Sequence, residues 1–161
     1  MKKIILTENQ YRLLLENDID NQIWYHGTDA NFDKFDLNFF GRTDEGWYGK
    51  GIYFHSDEDT AKIYGKNLIK VKLNYEKPPL VLPLENPNEY LYDTLEKYNE
   101  DMIYLPKEYK SFSIMKIIRE IGKEKFSNFI KQFHDAMIIN YVQGTSQAVV
   151  FNPNIIEIIN I

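Results

Sequence analysis

Gly49-Lys50-Gly51-Ile52-Tyr53-Phe54-His55 is the stretch on which the reading of the fold turns. Its glycine-lysine-glycine invites comparison with a phosphate loop, but such loops set their glycines between a strand and a helix N-terminus, where backbone N–H groups cradle the phosphate. Here the glycines precede a strand. Ile52 and Phe54 alternate with Tyr53 and His55, the period-two pattern of a strand with two unlike faces. A parallel, doubly wound nucleotide fold is therefore not indicated, and the alternation turns Tyr53 away from the expected core.

Upstream, residues 31–51 are rich in Asp, Asn, Gly and aromatics and predict a long, shaped loop. Before it, Gln22 to His26 is a run of β-formers closed by Gly27-Thr28-Asp29, which predicts a strand with His26 at an accessible tip. Thr7 and Gln10 form a capping box ahead of Tyr11, Leu14 and Leu15, so a short amphipathic helix is expected to about Asn17. Downstream, Ser56 with acidic residues behind it starts a helix ending near Gly65, and Leu68 to Leu73 reads as a strand. The four prolines between Lys77 and Pro87 argue against regular structure there. Helical patterns follow over Pro87 to Asn99 and Phe112 to Phe133, the second split at Gly122. Ala136 to Tyr141, Gln147 to Phe151 and Ile155 to Ile159 read as three closing strands. Strands at both ends with helices between them predict an α+β domain, taken as one unit over residues 1–161.

Composition bounds the chemistry. The 161 residues, 43% apolar and 15% aromatic, suffice for one substantial core but not for two ordinary domains. A net charge of −5 gives no general attraction for nucleic acid. The absence of cysteine removes disulfides, thiolate metal sites and a cysteine nucleophile, and fits a reducing compartment. Polar residues from Thr7 to Gln10 interrupt the apolar start before a signal core can form, and no run approaches the ~20 apolar residues of a membrane span. A soluble, cytoplasmic protein without membrane partners is expected.

Three side chains stand out at strand ends: His26 in Trp24-Tyr25-His26-Gly27-Thr28, Tyr53 in the opening stretch, and Gln147 in Gln147-Ala148-Val149-Val150-Phe151. Each alone reads at least as well as a structural residue, the histidine through a local hydrogen bond and the tyrosine through packing. In combination they resemble the His-Tyr-Glu ADP-ribosyltransferases, which include the poly(ADP-ribose) polymerase catalytic domains and small transferases of bacteria and phages. His26-Gly27-Thr28 resembles that family's His-Gly-Ser/Thr, with Asn31-Phe32 following as its Asn-Phe pair. Gly-Lys-Gly-Ile-Tyr-Phe is nearly identical to its second signature, and Tyr64 follows Tyr53 by the family's eleven residues. Gln147 to Ile155 resembles its closing strand.

The resemblance implies an ADP-ribosyltransferase-like split β-sandwich with peripheral helices. It also implies NAD as co-substrate, no metal, and release of nicotinamide through an oxocarbenium-like state that the protein orients and stabilises. By the same resemblance His26 would bond the adenosine ribose and the Gly27 backbone, beside Thr28, would hold the nicotinamide amide. Tyr53 and Tyr64 would sandwich the nicotinamide ring. Two positions depart from the pattern. Ala61 stands where polymerases carry a carboxamide-binding serine, with Thr60 beside it as a substitute. Gln147 stands at the glutamate position, where an amide can still bond ribose but can neither take a proton nor offset positive charge.

The expected function is mono-ADP-ribosylation of an unidentified macromolecule, a protein rather than a nucleic acid. The alternatives are NAD hydrolysis and a weak or silent NAD- or ADP-ribose-binding protein. Of the other ionisable residues, His55 is placed at the rim, His134 beside Asp135 in a local hydrogen bond and Lys50 without a role, while Asp44 and Glu45 in the loop either approach the acceptor or are simply solvated. Arg42 is a candidate for the NAD phosphates. No motif is recognised between Asn74 and Lys131, which is assigned to acceptor recognition.

Overall fold

A computed structural model describes residues 19–39 and 46–159. The helix expected before Asn17, and Arg42, Asp44 and Glu45, lie outside the described residues. Seven strands are hydrogen-bonded into one sheet: β1 (Trp24–Thr28), β2 (Ile52–His55), β3 (Asn67–Leu73), β4 (Leu80–Leu82), β5 (Ala136–Asn140), β6 (Ser146–Val150) and β7 (Ile156–Ile158), in the order β4-β5-β6-β2-β1-β3-β7. All pairs are antiparallel except β4 with β5. Four α-helices are described, α1 (Glu58–Lys62), α2 (Pro87–Tyr98), α3 (Ile114–Ile121) and α4 (Lys123–Ile130), with 3-10 turns at Leu37–Phe39, Lys107–Ser111 and Pro153–Ile155. The class is mixed α+β.

Local chemistry accounts for the boundaries. The carboxylate of Asp57 caps α1, accepting from the Thr60 backbone N at 3.0 Å and its hydroxyl at 2.6 Å. The expected cap, Ser56, is otherwise engaged: its hydroxyl accepts from the Ser146 N at 2.8 Å and its own N–H donates to the Ser146 carbonyl, tying β2 to β6. Ser113 caps α3, and Gly122 at φ +102° separates α3 from α4, a backbone region that residues with a Cβ rarely adopt. The proline-rich segment does hold a strand. Leu80-Val81-Leu82 lies between Pro79 and Pro83 at the sheet edge, where an absent N–H costs no ladder bond.

Both faces of the sheet are covered. On one, Leu91, Leu95, Ile117, Ile118, Phe126 and Ile130 of the helices pack against Met137, Ile139 and Val149. On the other, Trp24, Phe35, Phe54, Val71, Ile138, Val150 and Ile155 form a second cluster. Tyr53 thus does not face away from a core. It packs at the margin of the helix-covered cluster while Phe54 enters the other. Asp135, 2% exposed, pins the crossing loops: its carboxylate accepts from the N–H groups of Glu76 (2.8 Å) and Lys77 (2.7 Å) and from the Asn152 side chain (3.1 Å).

Candidate active site

The β2–β6 register sets His55 opposite Gln147 and Tyr53 opposite Val149. Cross-strand partners share a sheet face, so Tyr53, His55 and Gln147 project together. The loop before β2 folds over Tyr53. The Tyr53 hydroxyl donates to the Gly49 carbonyl at 2.6 Å and accepts from the Tyr48 N at 3.0 Å. A Cβ at Gly46, which has φ +62°, would stand 2.6 Å from the Tyr53 ring, so only glycine lets the loop lie this close. Tyr64 follows α1, and its ring stacks on His55 at 5.1 Å and 8°. A cleft of about 220 Å³ results, lined by Gly46, Trp47, Tyr48, Tyr53, Tyr64, Met115, Tyr141 and Gln147.

Tyr53, Tyr64 and Gln147 are thereby brought together, whereas His26 is not among the residues lining the cleft. It is not a strand tip either: it lies within β1, paired with Ile69, and its ring packs against Phe35 at 5.2 Å and Phe54 at 5.5 Å on the face opposite the Tyr53 ring. Aromatics of the following loop pack against it and leave it half-buried. It nevertheless reaches the same strand, for Nδ1 donates to the Tyr53 carbonyl at 2.8 Å. A carbonyl only accepts, so the proton sits on Nδ1. Burial lowers the pKa below its ordinary value, outweighing the opposing hydrogen bond, and the neutral ring keeps Nε2 as an acceptor.

The β1–β2 ladder is a single pair, Tyr25 with His55. Continued in register, Gly27 would face Tyr53, but no ladder joins them and the His26 imidazole bridges the strands instead. Gly27 and Thr28 pair on their other edge with Leu68 and Asn67. Helix α1 lies directly on Gly27, where a Cβ would come within 1.8 Å of the Ala61 carbonyl oxygen. Ala61 itself is fully buried in that contact. Thr60, the proposed substitute for the missing serine, spends its hydroxyl proton on Asp57.

Gln147 Oε1 accepts from the Tyr141 hydroxyl at 2.9 Å, and the Tyr48 hydroxyl stands 3.3 Å from that of Tyr141. Tyr48, Trp47, Tyr141 and Met115 are site residues that sequence reasoning missed. Tyr48 and Trp47 adjoin the glycine signature, which was a usable signal, but nothing in the sequence marks Tyr141 or Met115. Met115 lies in the first turn of α3, so the segment without motifs does reach the cleft. The cleft lining offers hydroxyls, aromatic faces and one amide, with no carboxylate or imidazole among the described residues.

His55, His134 and Lys50 make contacts that hold the fold together. His55 is buried beneath Tyr64 rather than at a rim, and burial lowers its pKa despite Asp57 nearby. His134 donates from Nδ1 to the Pro78 carbonyl (2.7 Å) and accepts at Nε2 from Tyr98 (3.0 Å), a longer reach than a bond to adjacent Asp135. Lys50 approaches Glu124 at 4.0 Å on the surface, while its N–H donates to Ser127 Oγ at 2.7 Å and anchors the loop to α4. No group of three metal-binding side chains occurs among the described residues, and no helix among them is long and apolar enough to cross a membrane.

No curated protein matches the sequence significantly. A solved structure titled as the crystal structure of an anti-CRISPR protein aligns with 85% of this chain and 94% of its own, at 12% identity and a TM-score of 0.42, a likeness too slight to bear on function. The family described as ADP-ribosyltransferase in polyvalent proteins matches over residues 21–160, nearly the whole chain including every segment of the cleft, and the protein belongs to that family.

Proposed function

We propose that this chain is an NAD-dependent mono-ADP-ribosyltransferase that passes ADP-ribose to a protein acceptor and releases nicotinamide. The observation that carries the reading is the meeting of Tyr53, Tyr64 and Gln147 in one small cleft, within a chain of the ADP-ribosyltransferase family. About 220 Å³ lies below the roughly 300–1,000 Å³ of drug-sized sites and suits one aromatic ring with its amide. The nicotinamide ring lies between Tyr53 and Tyr64, with its amide on the Gly27 backbone across the unladdered gap. Gln147 faces the adjoining ribose, and neutral His26 accepts at Nε2 from an adenosine ribose hydroxyl. Thr28 and Ala61 form the wall behind that amide. The bond broken is that between ribose C1′ and the nicotinamide nitrogen, whose electron pair leaves with nicotinamide; the acceptor's electron pair forms the new bond at C1′, and its proton passes to solvent because the Gln147 amide cannot take it. No metal enters this scheme.

The single-pair β1–β2 ladder supports a split β-sandwich opened at that gap, residues 1–161 being one domain. A cysteine-free chain suits the cytoplasm. Gln147, an amide where the chemistry favours a carboxylate, supports a second reading, an NAD- or ADP-ribose-binding protein with little or no turnover. The third, NAD hydrolysis, differs only in taking water as acceptor. Incubation with labelled NAD and a cell lysate separates all three. Label on protein supports transfer, free ADP-ribose indicates hydrolysis, and unchanged NAD with measurable binding leaves the silent reading.

A further inference from the structure

We propose that Tyr141 is a positioning residue that holds the Gln147 amide with its oxygen turned into the protein, so that the group offered to the ligand is the NH2, a hydrogen-bond donor. The ligand half of this inference rests on the NAD reading above and deepens it.

The polarity of the relay follows from its members. An amide oxygen only accepts, so at 2.9 Å the Tyr141 hydroxyl spends its one proton on Gln147 Oε1. The Tyr48 hydroxyl, 3.3 Å from Tyr141, must then be the donor in that pair. Tyr48 is held through its backbone N–H on the Tyr53 hydroxyl, which donates onward to Gly49. A chain of hydroxyls therefore runs from the glycine loop to β6 and ends at the amide oxygen. Burial raises the Tyr141 pKa well above its usual value, so the phenol remains a donor through the neutral range.

With Oε1 committed, the planar amide points its NH2 along the other branch, and no described residue bonds it. Gln147 lines the cleft, so an acceptor from the ligand completes the amide. The matching group is an oxygen lone pair on the nicotinamide ribose, its hydroxyl accepting rather than donating. A carboxylate in this place would ask the opposite of that hydroxyl. Tyr141 thus sets which way round the ribose is read, acting through the amide.

The test uses carba-NAD, a non-cleavable NAD whose nicotinamide ribose carries carbon in place of the ring oxygen. The side-chain NH2 resonances of Gln147 are identified by their loss in Gln147→Glu. They should move on saturation with carba-NAD, and should differ between wild type and Tyr141→Phe before any ligand is added. Tyr141→Phe should weaken carba-NAD roughly two- to tenfold, the effect of one lost neutral hydrogen bond. That loss should vanish in a Gln147→Ala background, which a purely structural role for Tyr141 would not do. Tyr48→Phe should give a smaller loss of the same kind. NH2 signals indifferent to Tyr141→Phe, or equal losses in both backgrounds, would overturn the proposal while NAD binding stands. Failure of the wild type to bind carba-NAD would overturn the NAD reading and the ligand half with it, the orientation half being still judged by the ligand-free spectra.

Discussion

Replacing Gln147 by glutamate puts a carboxylate into a cleft whose described lining carries none. Tyr141 at 2.9 Å already donates to the position and would stabilise the ionised form. Unit charges ~4 Å apart attract by about 4 kcal/mol at an effective dielectric of ~20. The positive charge of an oxocarbenium-like state is partial and the cleft is open, so about 2–3 kcal/mol is the realistic gain, roughly thirty- to a hundred-and-fifty-fold in rate. The assay is NAD consumption at saturating NAD by wild type, Gln147→Glu and Gln147→Ala, each checked for folding. The gain should be confined to Glu and should decline on acidification as the carboxylate protonates. Equal rates in all three folded proteins would refute the reasoning and remove Gln147 from the site.

Three other outcomes are expected. Tyr53→Ala should lower carba-NAD affinity by roughly 1–3 kcal/mol through lost ring contact, read by calorimetry; unchanged affinity in a folded variant would reject the stacking role. Gly27→Ala should destabilise by ~3 kcal/mol or more, since its methyl carbon would stand 1.8 Å from a backbone oxygen of α1 that has no rotamer to escape through; an unchanged urea midpoint would contradict the packing. Stability should fall on acidification, because His26, His55 and His134 all have folded pKa values below the ordinary 6.5, chiefly through burial. Between the two pKa values the unfolded chain binds more protons, so this stability is full above about pH 7 and is lost as the pH falls through 6.5 toward the depressed values. Urea midpoints at pH 7.5 and 5.5 measure the drop, and His134→Gln should reduce it.

Much of the fold was legible because its signals are local. The alternation at Ile52 to His55, the break at Gly122 and the strands near the C-terminus are set by side-chain period and turn chemistry, and the structure keeps them within a residue or two. Leu80 to Leu82 was hidden because its prolines are disfavoured only where a neighbour needs their N–H, and edge position is a property of the sheet. His26 was misjudged for a related reason. Gly27-Thr28-Asp29 reads locally as a turn, yet Gly27 stays in the strand because α1 packs on it, and loop aromatics pack against the half-buried imidazole.

By itself the sequence determined the chain's class, most of its elements and the spacing that ties Tyr53 to Tyr64, since these depend on residues near one another along the chain. Only the tertiary structure decided which groups share the cleft. Cross-strand register sets His55 against Gln147, β5 delivers Tyr141 to the same amide, and α3 brings Met115 from a segment without motifs. Hydrogen-bond direction, burial and the choice between two faces of a strand arise from contacts between distant segments, and no local pattern encodes them.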